Sequence, residues 1–140
     1  MDPPGVARAS IDHDAGERFV SLRGALGVES FGINQLILQP GQRGRIHRHA
    51  EQEEVYLVLR GTLTLVLEGE EELELREGEL VRVPAQVRRQ LVNRHDTQVT
   101  LVALGAAGEH VGRDGEAFTN WSETTGRAPQ EVPLPDDLRL

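Results

Sequence analysis

The sequence predicts an all-β protein built as a single barrel or sandwich. Two observations carry that expectation. Between residues 18 and 104 the chain is a succession of apolar or alternating runs, at 18–22, 32–39, 44–49, 54–60, 62–68, 72–76, 80–83, 88–92 and 99–104. Gly, Pro or Asn punctuates the gaps between them, and no stretch of this region carries a helical period. Short strands at close spacing favour a closed or two-sheet arrangement, which manages the exposed sheet edges. With 140 residues the chain is one domain by length and large enough to bury a core. Irregular arms flank the barrel: an N-terminal arm over 1–16, the barrel over 17–105 and a C-terminal extension over 106–140.

Taken in order, residues 1–16 contain Pro3, Pro4, Gly5 and Gly16 and little apolar periodicity, so they read as an arm. The cluster Ile11-Asp12-His13-Asp14 within it reads as solvated. Pro40-Gly41 is a type II turn signal, because Pro fixes φ and Gly accepts a positive φ. Gly61 separates two runs that are apolar on more than one face, which predicts a central hairpin buried on both sides. Residues 68–79 hold much of the negative charge and read as a second hairpin, with Glu outward and Leu73 and Leu75 inward. Beyond Leu104, Phe118 and Trp121 read as an anchor for the tail. Residues 129–140, with Pro133 and Pro135, read as an extended strap or a disordered tail.

The stretch from Gly41 to Gly61 organises the chain. His47 and His49 stand two apart, so an extended backbone puts both imidazoles on one face and Arg48 on the other. Glu54 follows after a four-residue turn and opens the next apolar run. Two imidazoles and a carboxylate converging from adjacent strands suit a divalent transition metal and leave coordination positions open. Tyr56 shares a strand face with Glu54, so its hydroxyl either contacts a ligand or is satisfied within the core.

Gly41, five residues, His47, Arg48, His49, four residues, Glu54, six residues and Gly61 match every fixed position of the first motif of the cupins. The spacing of the second cupin motif follows in Gly78, Pro84 and Asn93, with Gln86 where the family has Gly and Arg89 where it has a fourth ligand, a His. Over roughly 17–105 the chain therefore resembles a single-domain cupin. The resemblance implies a jelly-roll barrel and a metal site holding iron, manganese, nickel or zinc inside it. His47, His49 and Glu54 take three ligand places, and Arg89 takes the fourth. Arg has five donors and no acceptor, so it cannot ligate. Two readings of it stand: an ion pair with Glu54, or, together with Tyr56, a group that binds and orients a substrate through its carboxylate or phosphate. His95 falls in the turn after Asn93 and reads as exposed, and His110 lies past the last predicted strand.

The net charge of −8 argues against a nucleic-acid phosphate track or an anionic membrane surface as partner, and no apolar run is long enough to span a bilayer. The chain has no cysteine, which removes disulfides and thiol chemistry and is compatible with a cytoplasmic protein. The expected function is that of a small metal-dependent enzyme, an oxygenase or an isomerase or lyase, acting on a small organic molecule. The alternative is a small-ligand-binding cupin without chemistry or a required metal. A metal-free epimerase with a histidine base ranks below both, because no His–Asp pair is evident at suitable spacing. A homodimer is the expected assembly.

Overall fold

The computed structural model describes residues 2–106 and 114–140. Among them lie ten strands: β1 (Phe19–Ser21), β2 (Gly32–Leu38), β3 (Ile46–His49), β4 (Glu53–Arg60), β5 (Leu63–Leu67), β6 (Glu72–Leu75), β7 (Leu80–Val83), β8 (Arg89–Val92), β9 (Val99–Ala106) and β10 (Gly115–Phe118). They form two antiparallel five-stranded sheets, one in the order β1-β2-β9-β4-β7 and the other β10-β3-β8-β5-β6. All nine runs expected from the sequence contain a strand. The inner faces meet in a core built on Leu38, Val58, Leu63, Leu65, Leu91 and Leu101. No described helix is long and apolar enough to cross a membrane.

Four local expectations are corrected. The run at 18–22 stops at Ser21, whose hydroxyl accepts the Gly24 amide at 3.3 Å and caps a short helix, α1 (Leu22–Leu26), closed by Gly27 in the left-handed region. Five residues are too few to print a helical period. The second correction is at Gly61. β4 and β5 do not form a hairpin, because β4 pairs with β7 and β9 whereas β5 pairs with β6 and β8. Gly61 instead carries the chain from one sheet to the other. Its φ is 81°, and a Cβ there would collide with the carbonyl of Gln98, so only glycine allows the crossing. Third, the acidic hairpin β5–β6 buries Leu75 but leaves Leu73 36% exposed at the sheet edge.

The fourth correction is the N-terminal arm, which is docked on the outer face of the first sheet. The Gln35 side chain accepts from the Asp12 amide and donates to the Asp12 carbonyl, both at 2.8 Å. His13 Nδ1 lies 2.9 Å from Thr100 Oγ1. Gln35 and Thr100 are buried beneath it, a satisfied pairing of polar groups that a solvated arm would leave open.

At the other end, Leu138 donates to the Gly41 carbonyl at 2.7 Å and Arg43 Nε to the Asp136 carbonyl at 3.0 Å. The tail, after a 3-10 turn at Pro129–Glu131, is thus an extended strap, with Val132 buried. The Pro40-Gly41 turn forms as read: Gln42 donates to the Gln39 carbonyl at 3.0 Å and Gly41 has a φ of 84°. Phe118 also anchors as expected. It is buried with the guanidinium groups of Arg88 and Arg48 over its ring, at 5.0 and 5.3 Å, and Arg88 also lies 6.0 Å from the Trp121 ring.

Candidate metal centre

Alternation along β3 turns His47 and His49 to one face, where their rings meet edge-on with centroids 5.4 Å apart. Glu54, the second residue of β4, reaches them from the opposite sheet. Its neighbour in register is Gly105 of β9, where a Cβ would stand only 3.3 Å from Glu54 Cγ, so the absence of a side chain leaves room for the carboxylate. One carboxylate oxygen, Oε1, is the meeting point. His49 Nε2 lies 3.1 Å from it, His47 Nε2 3.5 Å, and the Tyr56 hydroxyl donates to it at 2.6 Å. One donor atom from each of His47, His49 and Glu54 lies within 4.8 Å of the other two, and no other such group occurs among the described residues.

The tautomers follow from the second nitrogens. His47 Nδ1 lies 3.1 Å from the Arg45 carbonyl, which only accepts, so the proton sits on Nδ1 and Nε2 keeps its lone pair. His49 Nδ1 lies 2.7 Å from Asp114 Oδ1. The backbone amides of Gln52 and Glu51, together with His49, outweigh burial and hold the Asp114 carboxyl below its usual range. His49 Nε2 is left buried with no hydrogen-bond partner, since its 3.1 Å approach to Glu54 lacks hydrogen-bond alignment. An orphaned imidazole lone pair beside a second imidazole and a carboxylate is the donor set a divalent transition metal requires. The residues fit such an ion.

The ionisations of Glu54, His49 and Tyr56 depend on one another. Burial disfavours the Glu54 carboxylate, but the two histidines outweigh it and hold the group well below the carboxylate range. Burial likewise opposes protonation of His49, yet Glu54 and Asp114 prevail and move its pKa upward. Burial and the charge of Glu54 push the Tyr56 hydroxyl well above its normal pKa, so it remains a donor.

Arg89, the first residue of β8, pairs in register with His47 and is wholly buried. Its Nη2 donates to the carbonyls of Pro84 at 3.2 Å and Val83 at 3.5 Å, and its Nη1 to that of Ala85 at 3.4 Å. It approaches Glu54 Oε1 no closer than 3.9 Å, so the pairing is a single long contact rather than a two-pronged one. Its Nε is buried without an acceptor. Gln86 closes the same turn by donating to the Ala50 carbonyl at 2.6 Å. His95 is in the turn, 3.2 Å from Glu74 and away from the site. His110 lies outside the described residues.

Asp114 and Gln52 were not visible as site residues in the sequence. Asp114 stands 65 positions from His49, and only the pairing of β10 with β3 brings them together. The His–Asp pair that sequence spacing did not offer therefore exists.

The family model described as Cupin domain matches residues 34–105, just over half the chain. This protein belongs to the cupin family. Solved cupin structures resemble it over most of their length. A cupin protein from Bacteroides fragilis is 21% identical with a TM-score of 0.65, the match covering 76% of this chain and 87% of that one. A sugar phosphate isomerase of the cupin superfamily from Silicibacter pomeroyi is 24% identical with a TM-score of 0.63, over 95% and 92% of the two chains. A Cupin 2 conserved barrel domain protein from Salinispora arenicola is 25% identical with a TM-score of 0.58, over 76% and 88%. Among curated proteins none matches this cupin.

Proposed function

We propose that this cupin is a metal-dependent enzyme acting on a small organic molecule at His47, His49 and Glu54. The observation that carries the reading is the buried, unpartnered Nε2 of His49 facing the other two donors. A bound iron, manganese, nickel or zinc ion would supply Lewis-acid polarisation of a substrate oxygen, or redox chemistry in the case of iron. Tyr56 holds the Glu54 carboxylate in place through its 2.6 Å hydrogen bond and closes the inner wall of the site. Arg89 brings a fixed positive charge to within 3.9 Å of Glu54, which would favour an anionic substrate at the site. An isomerase accords with the activity named for the Silicibacter pomeroyi structure.

Elemental analysis of protein purified without an affinity tag is the test. Near-stoichiometric metal is expected, and its absence would shift the reading to a ligand-binding cupin without chemistry. The bound metal should weaken as pH falls through the raised pKa of His49, because proton and metal compete for Nε2. The loss therefore begins above the ordinary imidazole range. Metal retained unchanged well below that range would contradict ligation by His49.

A cytoplasmic homodimer is the proposed assembly. On the outer face of the first sheet, beside the docked arm, Ile33, Val55, Leu57 and Leu104 are only half-buried, and Leu80 is 63% exposed next to Leu57. A contiguous apolar face of this kind favours a self-complementary contact. Light scattering at micromolar concentration should give twice the mass of one chain. A mass near one chain would exclude the dimer.

A further inference from the structure

We propose that Asp114 is a positioning residue of the metal centre, holding the proton of His49 on Nδ1 so that Nε2 presents its lone pair to the metal. The inference rests on the proposed metal reading and deepens it. The two histidines are held differently. His47 leans on the Arg45 carbonyl, a backbone group of its own segment that no substitution removes. His49 leans on a side chain delivered by the strand that edges the sheet.

The Asp114 carboxylate is fixed from all sides. Oδ1 accepts from His49 Nδ1 at 2.7 Å and from the Gln52 side chain at 2.8 Å. Oδ2 accepts from the amides of Gln52 at 2.9 Å and Glu51 at 3.1 Å. The Asp114 carbonyl also accepts the Ala50 amide at 3.0 Å. An ionised carboxylate has no proton to give, so all four partners, including Nδ1, must donate. Without it the balance reverses. Nδ1 would lose its acceptor, and the ring, freed from Asp114, could turn to bring Nε2 into line with Glu54 Oε1, now 3.1 Å away but misaligned. The proton would then move to Nε2 and occupy the atom that the metal needs. A carboxylate that orients a ligand imidazole in this way also raises its donor strength.

The isosteric change Asp114→Asn tests this in the full chain. The amide keeps the shape but must turn its NH2 either toward the Glu51 and Gln52 amides or toward His49. The second arrangement is relieved by a proton shift to Nε2. Two readouts are taken on purified protein: zinc affinity by competition with a chromophoric chelator, and the His49 tautomer by NMR of the metal-free, histidine-labelled protein at alkaline pH. Zinc affinity is expected to fall about 10- to 100-fold, and His49 to change from the Nδ1–H to the Nε2–H form. Asp114→Ala should do the same where Asn perturbs folding. A folded variant that keeps either the wild-type tautomer or wild-type zinc affinity would overturn the role of Asp114. Failure of wild-type protein to bind zinc would instead count against the metal reading, and the tautomer would still report on Asp114.

Discussion

Replacing His49 with alanine is expected to empty the metal centre and leave the barrel folded. The ring is one of three donors, so its loss should lower zinc affinity at least 100-fold, about 2.7 kcal/mol. The structural cost is small by comparison. The side chain is 18% exposed rather than part of the apolar core, and Asp114 keeps its three other donors from Glu51 and Gln52. His47→Ala should behave alike, because its Nε2 faces the same Glu54 oxygen. Metal content is measured after dialysis against the free ion, and the melting temperature is followed in chelator. A lowered melting temperature with unchanged metal content would make the two histidines packing residues and remove the metal reading.

Arg89→His is the second large effect, and it acts in two directions. The change removes a fixed positive charge beside the Glu54 carboxylate and restores an imidazole at the family's fourth ligand place. Both favour a dication, so zinc affinity should rise at least tenfold, about 1.4 kcal/mol. The same guanidinium, however, holds the carbonyls of Val83, Pro84 and Ala85 in the turn between β7 and β8. Two of these acceptors keep a backbone partner, because Pro84 also accepts the Val87 amide at 3.2 Å and Ala85 the His49 amide at 2.8 Å. The shorter imidazole therefore forfeits only the added guanidinium contacts, about 1 kcal/mol in net hydrogen bonding. The metal-free variant should be less stable than wild type by about 1 kcal/mol. Calorimetric titration and urea unfolding in chelator read the two halves separately. Equal or weaker metal affinity would mean that Arg89 does not set the charge of the centre, and unchanged stability would mean that the backbone amides alone hold the turn.

The contrast between these residues and Asp114 shows what the sequence could reveal. His47, His49 and Glu54 are legible because one short stretch supplies all three, and strand alternation alone decides which way the imidazoles point. Arg89 is legible as a position, through the spacing from Gly78 to Asn93. Its partners are not, because they depend on how the turn at Val83–Ala85 folds back over β8. Asp114 has no local signal at all: it is one acidic residue among many, and its meaning comes from a strand pairing across most of the barrel. The same limit explains Gly61. Apolar runs on either side of a glycine suit a hairpin and a sheet crossing equally well, and only the partners of β4 and β5 distinguish them. The docked arm was hidden for a related reason, since Gln35 and Thr100 look like surface residues until Asp12 and His13 cover them.

The edge strand β10 also has a consequence for the order of events during synthesis. Its partner β3 is made early, whereas Gly115–Phe118 must emerge and travel back before Asp114 can meet His49. Non-local closures of this kind are slow compared with local hairpins. A growing chain that has just finished β9 already carries both histidines and Glu54, but not the carboxylate that orients one of them. If the site takes a metal as proposed, its final geometry would be complete only late, on the arrival of the last strand.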